Sequence, residues 1–148
     1  MPGSFASLYY HIAFGTKDRR PLITPDLAAP LHNYMAGIIQ RLAGRALATG
    51  GTADHVHILA ALDKDRAVSA VIRDLKANSS RWVHETYPEH ADFGWQEGYG
   101  AFTVSVRGLD SVRAYIARQE EHHRTVSFRD ELASFLREHG IPYDERYV

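Results

Sequence analysis

Asp54-His55-Val56-His57-Ile58-Leu59-Ala60-Ala61-Leu62 is the stretch on which the reading of this chain turns. Two histidines two positions apart point the same way only on a strand, where side chains alternate between faces; on a helix they diverge. A strand over 55–62 therefore sets both imidazoles on one face, able to share a metal ion, and turns Val56 to the other. The competing reading is a pair of half-exposed strand histidines with no ligand. Just before it, residues 45–50 read as a second strand, joined to the first by the glycine-rich Gly50-Gly51-Thr52.

Upstream, the aromatic and β-branched run at 5–14 suggests a strand, followed by Lys17, Arg19 and Arg20 in a loop. Thr24-Pro25 has the form of an N-cap followed by proline at the first helical position. Leu27, Leu31, Tyr34, Ile38 and Leu42 recur at helical spacing, with Pro30 as an internal conflict and Gly44 as the expected stop. Downstream, Asp65 is the expected cap of a helix whose buried stripe is Val68, Val71, Ile72, Leu75, Trp82 and Val83, bounded by Pro88. A loop rich in glycine and aromatics leads to an alternating strand at 101–106. Asp110 is the expected N-cap of a helix reaching about Arg124. Ser127 and Asp130 resemble a capping box for a last helix with Phe128, Leu132, Phe135 and Leu136 on its face, ended by Gly140 and Pro142. The order strand, helix, strand, strand, helix, strand, then helices, is that of an α+β, ferredoxin-like split βαβ domain. Its sheet is expected to be mainly antiparallel, with helices on one face and a C-terminal helical extension.

The chain has 148 residues, which suits one domain over 1–148. With 45% apolar and 24% charged residues it reads as globular. It has no cysteine, which excludes disulfides and thiolate metal sites. No apolar run approaches the roughly 20 residues of a membrane span, and no signal peptide is visible, so a cytoplasmic location without a membrane partner is expected. The net charge of −1 gives no overall basic character, so any nucleic-acid contact would rest on a local patch.

Tyr115 and Gln119 lie four apart on the helix expected after Asp110, about 40° apart on one face. They fall beside the stripe of Val112 and Ile116, at its border with solvent. The alternative there is a border tyrosine that packs its ring and hydrates its hydroxyl. A phenol has a pKa near 10 and is a poor nucleophile at neutral pH. A metal ion on a phosphodiester oxygen removes the charge that repels an attacking oxygen and stabilises the transition state. Two neutral imidazoles and a glutamine carbonyl oxygen add no negative charge to that ion. Mixed nitrogen and oxygen ligation suits Mg²⁺ or Mn²⁺, and Zn²⁺ would also bind.

With these residues in place, the chain resembles the single-tyrosine transposases of the HUH superfamily, small enzymes of bacterial and archaeal insertion sequences. The histidine–hydrophobic–histidine motif is His55-Val56-His57. The tyrosine block is Tyr115-Ile116-Ala117-Arg118-Gln119, followed by His122-His123. Leu75–Trp82 and Trp95–Phe102 are similar to family blocks between them. The resemblance implies a nucleophile at Tyr115 and metal ligands at His55, His57 and Gln119. It also implies a 5′-phosphotyrosine intermediate with a free 3′-OH, and a homodimer acting on single-stranded DNA with hairpin ends. The tyrosine helix of one subunit can complete the other's site.

Further candidates follow from position. Lys17, Arg19, Arg20, Arg66, Arg73 and Lys76 could meet phosphates. Asp54 could orient a metal-bound imidazole, and His122 lies near the Tyr115 side, with His123 nearer the core stripe. Trp95, Tyr99 and Phe102 could stack on bases or pack in the core. The competing functions are a related nickase or domesticated repeat-processing protein, a DNA-binding module that has lost catalysis, and a metal hydrolase using only the histidines.

Overall fold

The computed structural model describes residues 3–42 and 44–148. Four strands, β1 (Tyr9–Gly15), β2 (Gly44–Thr52), β3 (His55–Leu62) and β4 (Gly100–Val104), form one sheet in the order β2-β3-β1-β4. Every neighbouring pair is antiparallel. Helix α1 (Pro25–Arg41) connects β1 to β2, and α2 (Val68–Thr86) connects β3 to β4. After β4 come α3 (Leu109–Ala117), the short α4 (Gln119–His122) and α5 (Phe128–Glu138). The split βαβ arrangement with a helical extension is thus the observed one. Among the described residues no helix is long and apolar enough to cross a membrane.

Strand alternation divides the labour between the two faces. Ile12 and Phe14 of β1, and Val56, Ile58, Ala60 and Leu62 of β3, pack with Leu27, Leu31, Met35, Ile38 and Ile39 of α1 and Val71, Ile72, Leu75 and Val83 of α2. Each such aliphatic side chain contributes about 1.5–3 kcal/mol on full burial. The opposite face carries His11, Ala13, His55 and His57, and the C-terminal helices cover it. Its apolar cluster is small: Ala13, Phe102, Phe128 and Leu132. Directly across from His57 in the register stands Ala13, and across from His55 stands Gly15. Ala13 is small, and the space beside Gly15 is taken by the Gln96 and Arg19 side chains, which a Cβ there would meet.

Several boundaries differ from the sequence-based expectations. The first strand begins only at Tyr9, and the strand expected at 101–106 ends at Val104, where the chain tightens into a 3₁₀ turn over Val106–Gly108. Gly44 does not stop α1. The backbone N–H of Leu42 closes that helix on Ile38 and Ile39, and Gly44 opens β2, where a Cβ would lie 2.7 Å from the carbonyl oxygen of Ala61. Pro30 lies inside α1, which continues through it. Asp65 does not cap α2: its N–H is taken by Asp63 Oδ1 at 2.9 Å, and the helix starts at Val68 after Ala67. Asp110 is not an N-cap but lies in the first turn of α3, where its charge complements the helix dipole. The single helix expected to Arg124 is broken at Arg118, whose φ of −104° and ψ of 21° separate α3 from α4. The cap of α5 is as expected, with Ser127 Oγ accepting from the Asp130 N–H at 3.1 Å.

Gly50 and Gly51 are ladder residues, not the connection; the turn falls at Ala53-Asp54. Gly50 pairs with His57, and a Cβ there would lie 2.6 Å from the Ile116 carbonyl oxygen and 2.8 Å from its Cγ2. Its bare backbone lets α3 lie flush on β2. Gly50→Ala is therefore expected to lower stability by about 1–3 kcal/mol through overpacking. Gly37→Ala on α1, whose Cβ would meet nothing within 4 Å, is expected to be neutral or stabilising by up to about 1 kcal/mol. Thermal or urea unfolding of both variants checks the contrast.

Candidate metal centre and tyrosine

Both histidines of β3 are fully buried, at 0% exposure, which removes the half-exposed reading. The His55 ring stacks on Phe128 with centroids 4.4 Å apart. Its Nδ1 lies 2.7 Å from Asp54 Oδ1. The Asp54 carboxylate can only accept, so Nδ1 carries the proton and Nε2 presents a lone pair inward. The Thr52 hydroxyl donates to the same carboxylate oxygen at 3.0 Å. Burial pushes the Asp54 carboxyl up, but the hydrogen bond and charge of His55 outweigh it and hold the group below its ordinary value.

His55 Nε2 faces Gln119 Oε1 at 2.8 Å. The orientation of that amide follows from its other end, since Gln119 Nε2 donates to Glu131 Oε2 at 3.1 Å. Two acceptors, an imidazole lone pair and a carbonyl oxygen, therefore face each other at hydrogen-bond distance inside the protein. A cation between them resolves that conflict, and so the donor set fits a divalent metal. Gln119 is itself buried, at 1% exposure.

The centre of the cluster is Glu131, on α5 and 2% exposed. Its Oε1 lies 2.8 Å from His57 Nε2 and 3.1 Å from His123 Nε2. Its Oε2 accepts from the Tyr115 hydroxyl and from Gln119, with His122 Nε2 at 3.3 Å. Burial would raise the Glu131 pKa, but the hydrogen bonds from His57, Tyr115 and Gln119 overcome it and keep the carboxylate ionised. Burial, and then the bond to Glu131, raise the Tyr115 phenol above its ordinary value. His57 is pushed below its ordinary value by burial, against the opposing pull of Glu131. On its far side His57 Nδ1 meets His11 Nε2 at 2.6 Å. His11 is pushed down to about 3 by burial, with His57 adding to the effect.

Tyr115 is half-buried and lies against the histidines of its own chain, its ring centroid 5.9 Å from that of His57. It opens onto a cleft shared with Arg118, Glu121 and His122. Of the other residues singled out in the sequence, Asp54 and His122 join the cluster. The basic residues do not. The Arg19 guanidinium, pushed down by burial, sits 4.6 Å over the Phe128 ring and donates to Gln96 Oε1 at 2.8 Å. Arg20 pairs with Asp92 at 3.2 Å and Arg73 with Asp74 at 3.4 Å. The Lys76 ammonium, lowered by burial, donates to the carbonyls of Gln96 and Gly98, tying α2 to the loop before β4. Lys17 and Arg66 are exposed. Trp95 packs in the core against Phe14 and Phe93, Phe102 in the second apolar cluster, while Tyr99 is exposed.

Sequence reasoning did not single out Glu131 or His11, and left His123 with the core stripe. A signal for Glu131 exists. It lies three residues after Phe128 and one before Leu132, so an acid falls on the apolar stripe of an amphipathic helix, where an unpaired charge is costly. His11 alternates with Ala13 on the face opposite the main core, which carries no such signal.

The site thus joins a buried histidine pair on an inner strand of an antiparallel sheet to a tyrosine helix that lies on the same face. Residues 4–119 match the family model described as "Transposase IS200 like", and the chain belongs to that family of transposases. It is 24% identical over 124 residues to the ISDra2 transposase TnpA of Deinococcus radiodurans, covering 80% of this chain and 89% of that protein. Two solved structures share the fold. A candidate transposase from Deinococcus radiodurans superposes with a TM-score of 0.65 at 22% identity, covering 80% of this chain and 95% of that one. A REP-associated tyrosine transposase, solved bound to a REP hairpin, gives 0.61 at 15% identity, covering 85% and 74%.

The buried histidines make stability sensitive to acid. His11 and His57 stay neutral in the fold below the ordinary value of 6.5. The unfolded chain takes up protons there that the folded chain cannot. Their contribution is full above pH 6.5 and declines below it, by up to about 1.4 kcal/mol per pH unit for His11, with His57 adding in the same direction. Urea unfolding of the metal-free protein between about pH 7.5 and 5 is expected to show this decline, and His11→Gln to remove one histidine's share of the slope.

Proposed function

We propose that this transposase cleaves and rejoins single-stranded DNA with hairpin ends, using Tyr115 as nucleophile beside a divalent metal, Mg²⁺ or Mn²⁺, held by His55, His57 and Gln119. The observation that carries this reading is the pair of facing acceptors, His55 Nε2 and Gln119 Oε1, 2.8 Å apart, with the Tyr115 hydroxyl in the same hydrogen-bonded cluster. When bound, the ion supplies positive charge to a scissile phosphate and offsets the repulsion that the attacking oxygen meets.

The chain's own residues supply the rest. Asp54 holds His55 in the tautomer that offers Nε2. Gln119 is held by its bond to Glu131. The Tyr115 hydroxyl is hydrogen-bonded to Glu131 in the resting state, which fixes its direction and gives its proton an acceptor. In the proposed step the phenolic oxygen forms a bond to phosphorus and the bond from phosphorus to the 3′ oxygen breaks. The products are a 5′-phosphotyrosine and a free 3′-OH, the phenol's loss of a proton balancing the gain at the 3′ oxygen. The ester keeps the linkage energy, so the reverse attack by a 3′-OH rejoins a strand without ATP. Arg118, in the cleft with Tyr115, is a better placed phosphate contact than the basic residues of the loop before α1 or of α2. Hairpin DNA as the partner, a homodimer and a cytoplasmic location belong to the same proposal. The hairpin bound to the REP-associated relative supports the first of these.

Incubation with hairpin-ended single-stranded DNA and Mn²⁺ is expected to give a covalent protein–DNA band on a denaturing gel. The band should vanish in Tyr115→Phe, in His57→Ala and with chelator. A band that survives Tyr115→Phe would sink the nucleophile assignment, and metal-independent cleavage the role of the histidines.

Tyr115 lies with its own chain's histidines, which supports a site complete within one chain. Mixing Tyr115→Phe protein with His57→Ala protein is therefore expected to restore no cleavage. Rescue in that mixture would instead mean that the tyrosine helix is exchanged between subunits.

A further inference from the structure

The segment matched to the family ends at Gln119, yet the cluster continues past it. His123 closes α4 and Glu131 lies on α5. His123 Nδ1 donates to the Val126 carbonyl oxygen at 2.5 Å, so its Nε2 bears a lone pair. That nitrogen is buried and has no hydrogen-bond partner among the described residues, on a side chain only 8% exposed. It points at Glu131 Oε1, another acceptor, 3.1 Å away. The mismatch between His55 and Gln119 is thus repeated on the other side of the same space. One ligand-capable atom from each of His55, His57, His123 and Glu131 lies within 4.8 Å of all the others. Ligands about 2.1 Å from a common ion stand roughly 3 to 4 Å apart, so a small inward movement suffices.

We propose that His123 and Glu131 are themselves ligands of the metal, so that the ion clasps the segment from α4 to α5 onto the sheet. This rests on the reading of His55 and His57 as metal ligands. The site then has three imidazoles and one carboxylate, with Gln119 oxygen as a further ligand. The carboxylate keeps a divalent ion from carrying its full charge in a buried site. Glu131, whose Oε2 accepts from the Tyr115 hydroxyl, would thereby link the metal ligands to the nucleophile. Metal loading and the docking of α5 become one event.

Three measurements on the full-length protein test this, with Mn²⁺ as the probe. Pulsed electron paramagnetic resonance is expected to find three imidazole nitrogens on bound Mn²⁺ in the wild type and two in His123→Ala. Calorimetric titration is expected to show Mn²⁺ binding weakened about tenfold or more in Glu131→Gln and in His123→Ala, because charge and ligand number set affinity. Amide exchange across α5 is expected to slow on adding Mn²⁺ to the wild type and to stay unchanged in Glu131→Gln. Two nitrogens in the wild type, with α5 exchange indifferent to Mn²⁺ and binding still lost in His57→Ala, would overturn the clasp and leave the two-histidine metal standing. Failure of the wild type to bind Mn²⁺ would overturn both. Should Glu131→Gln fail to fold, judged by circular dichroism, the nitrogen count in His123→Ala decides alone.

Discussion

A carboxylate that is 2% exposed and ionised must be surrounded by donors or positive charge, because an unpaired buried charge costs several kcal/mol. Glu131 meets that demand with groups from separate elements: His57 from β3, Tyr115 from α3, Gln119 from α4. Each of those elements is thereby fixed relative to the others. The apolar cluster on this face of the sheet is small, so the polar network carries much of the positioning. Removing one partner leaves the rest buried and unmatched, a loss of about 3–5 kcal/mol for a buried pair. The main core, on the other face, has no such dependence. It packs α1 and α2 against the sheet through apolar contacts.

The direction of the lone pairs is set from outside the cluster. Asp54 fixes the proton of His55, and the Val126 carbonyl fixes that of His123. Outer contacts of this kind determine which nitrogen a ring offers and toward what. The arrangement therefore turns ring nitrogens inward, on a group of side chains that could hold a metal ion.

Much of the fold was legible because alternation and helical spacing are strong on one face of this protein. The strand at 55–62 and the stripes of α1 and α2 follow from the need to bury Val56, Ile58, Leu27 and Val71. Local punctuation was less dependable. Gly44, Gly50 and Gly51 look like stops and turns in the sequence, yet each serves close approach of backbone in or against the ladder, a tertiary requirement that spacing does not encode. Asp65 and Asp110 have the right chemistry for caps, but the helices start elsewhere. In the site, His55, His57, Tyr115 and Gln119 stood out as residue types at telling intervals, and all four meet in the structure. Glu131 did not stand out, because its role depends on α5 folding back across the sheet, a contact between residues 74 apart. The basic residues read as phosphate contacts satisfied a rule about charge, but Arg20, Arg73 and Lys76 already have partners within the fold.

Those long separations also order events in time. His11 meets His57 across 46 residues, His55 meets Gln119 across 64, and Glu131 closes the set from still farther along. A chain emerging from the ribosome holds its histidines long before it holds its tyrosine, and its tyrosine before the acid that orients it. No part-made chain contains the assembled centre. The centre is complete only once synthesis has passed α5 and that helix has come to rest on the sheet.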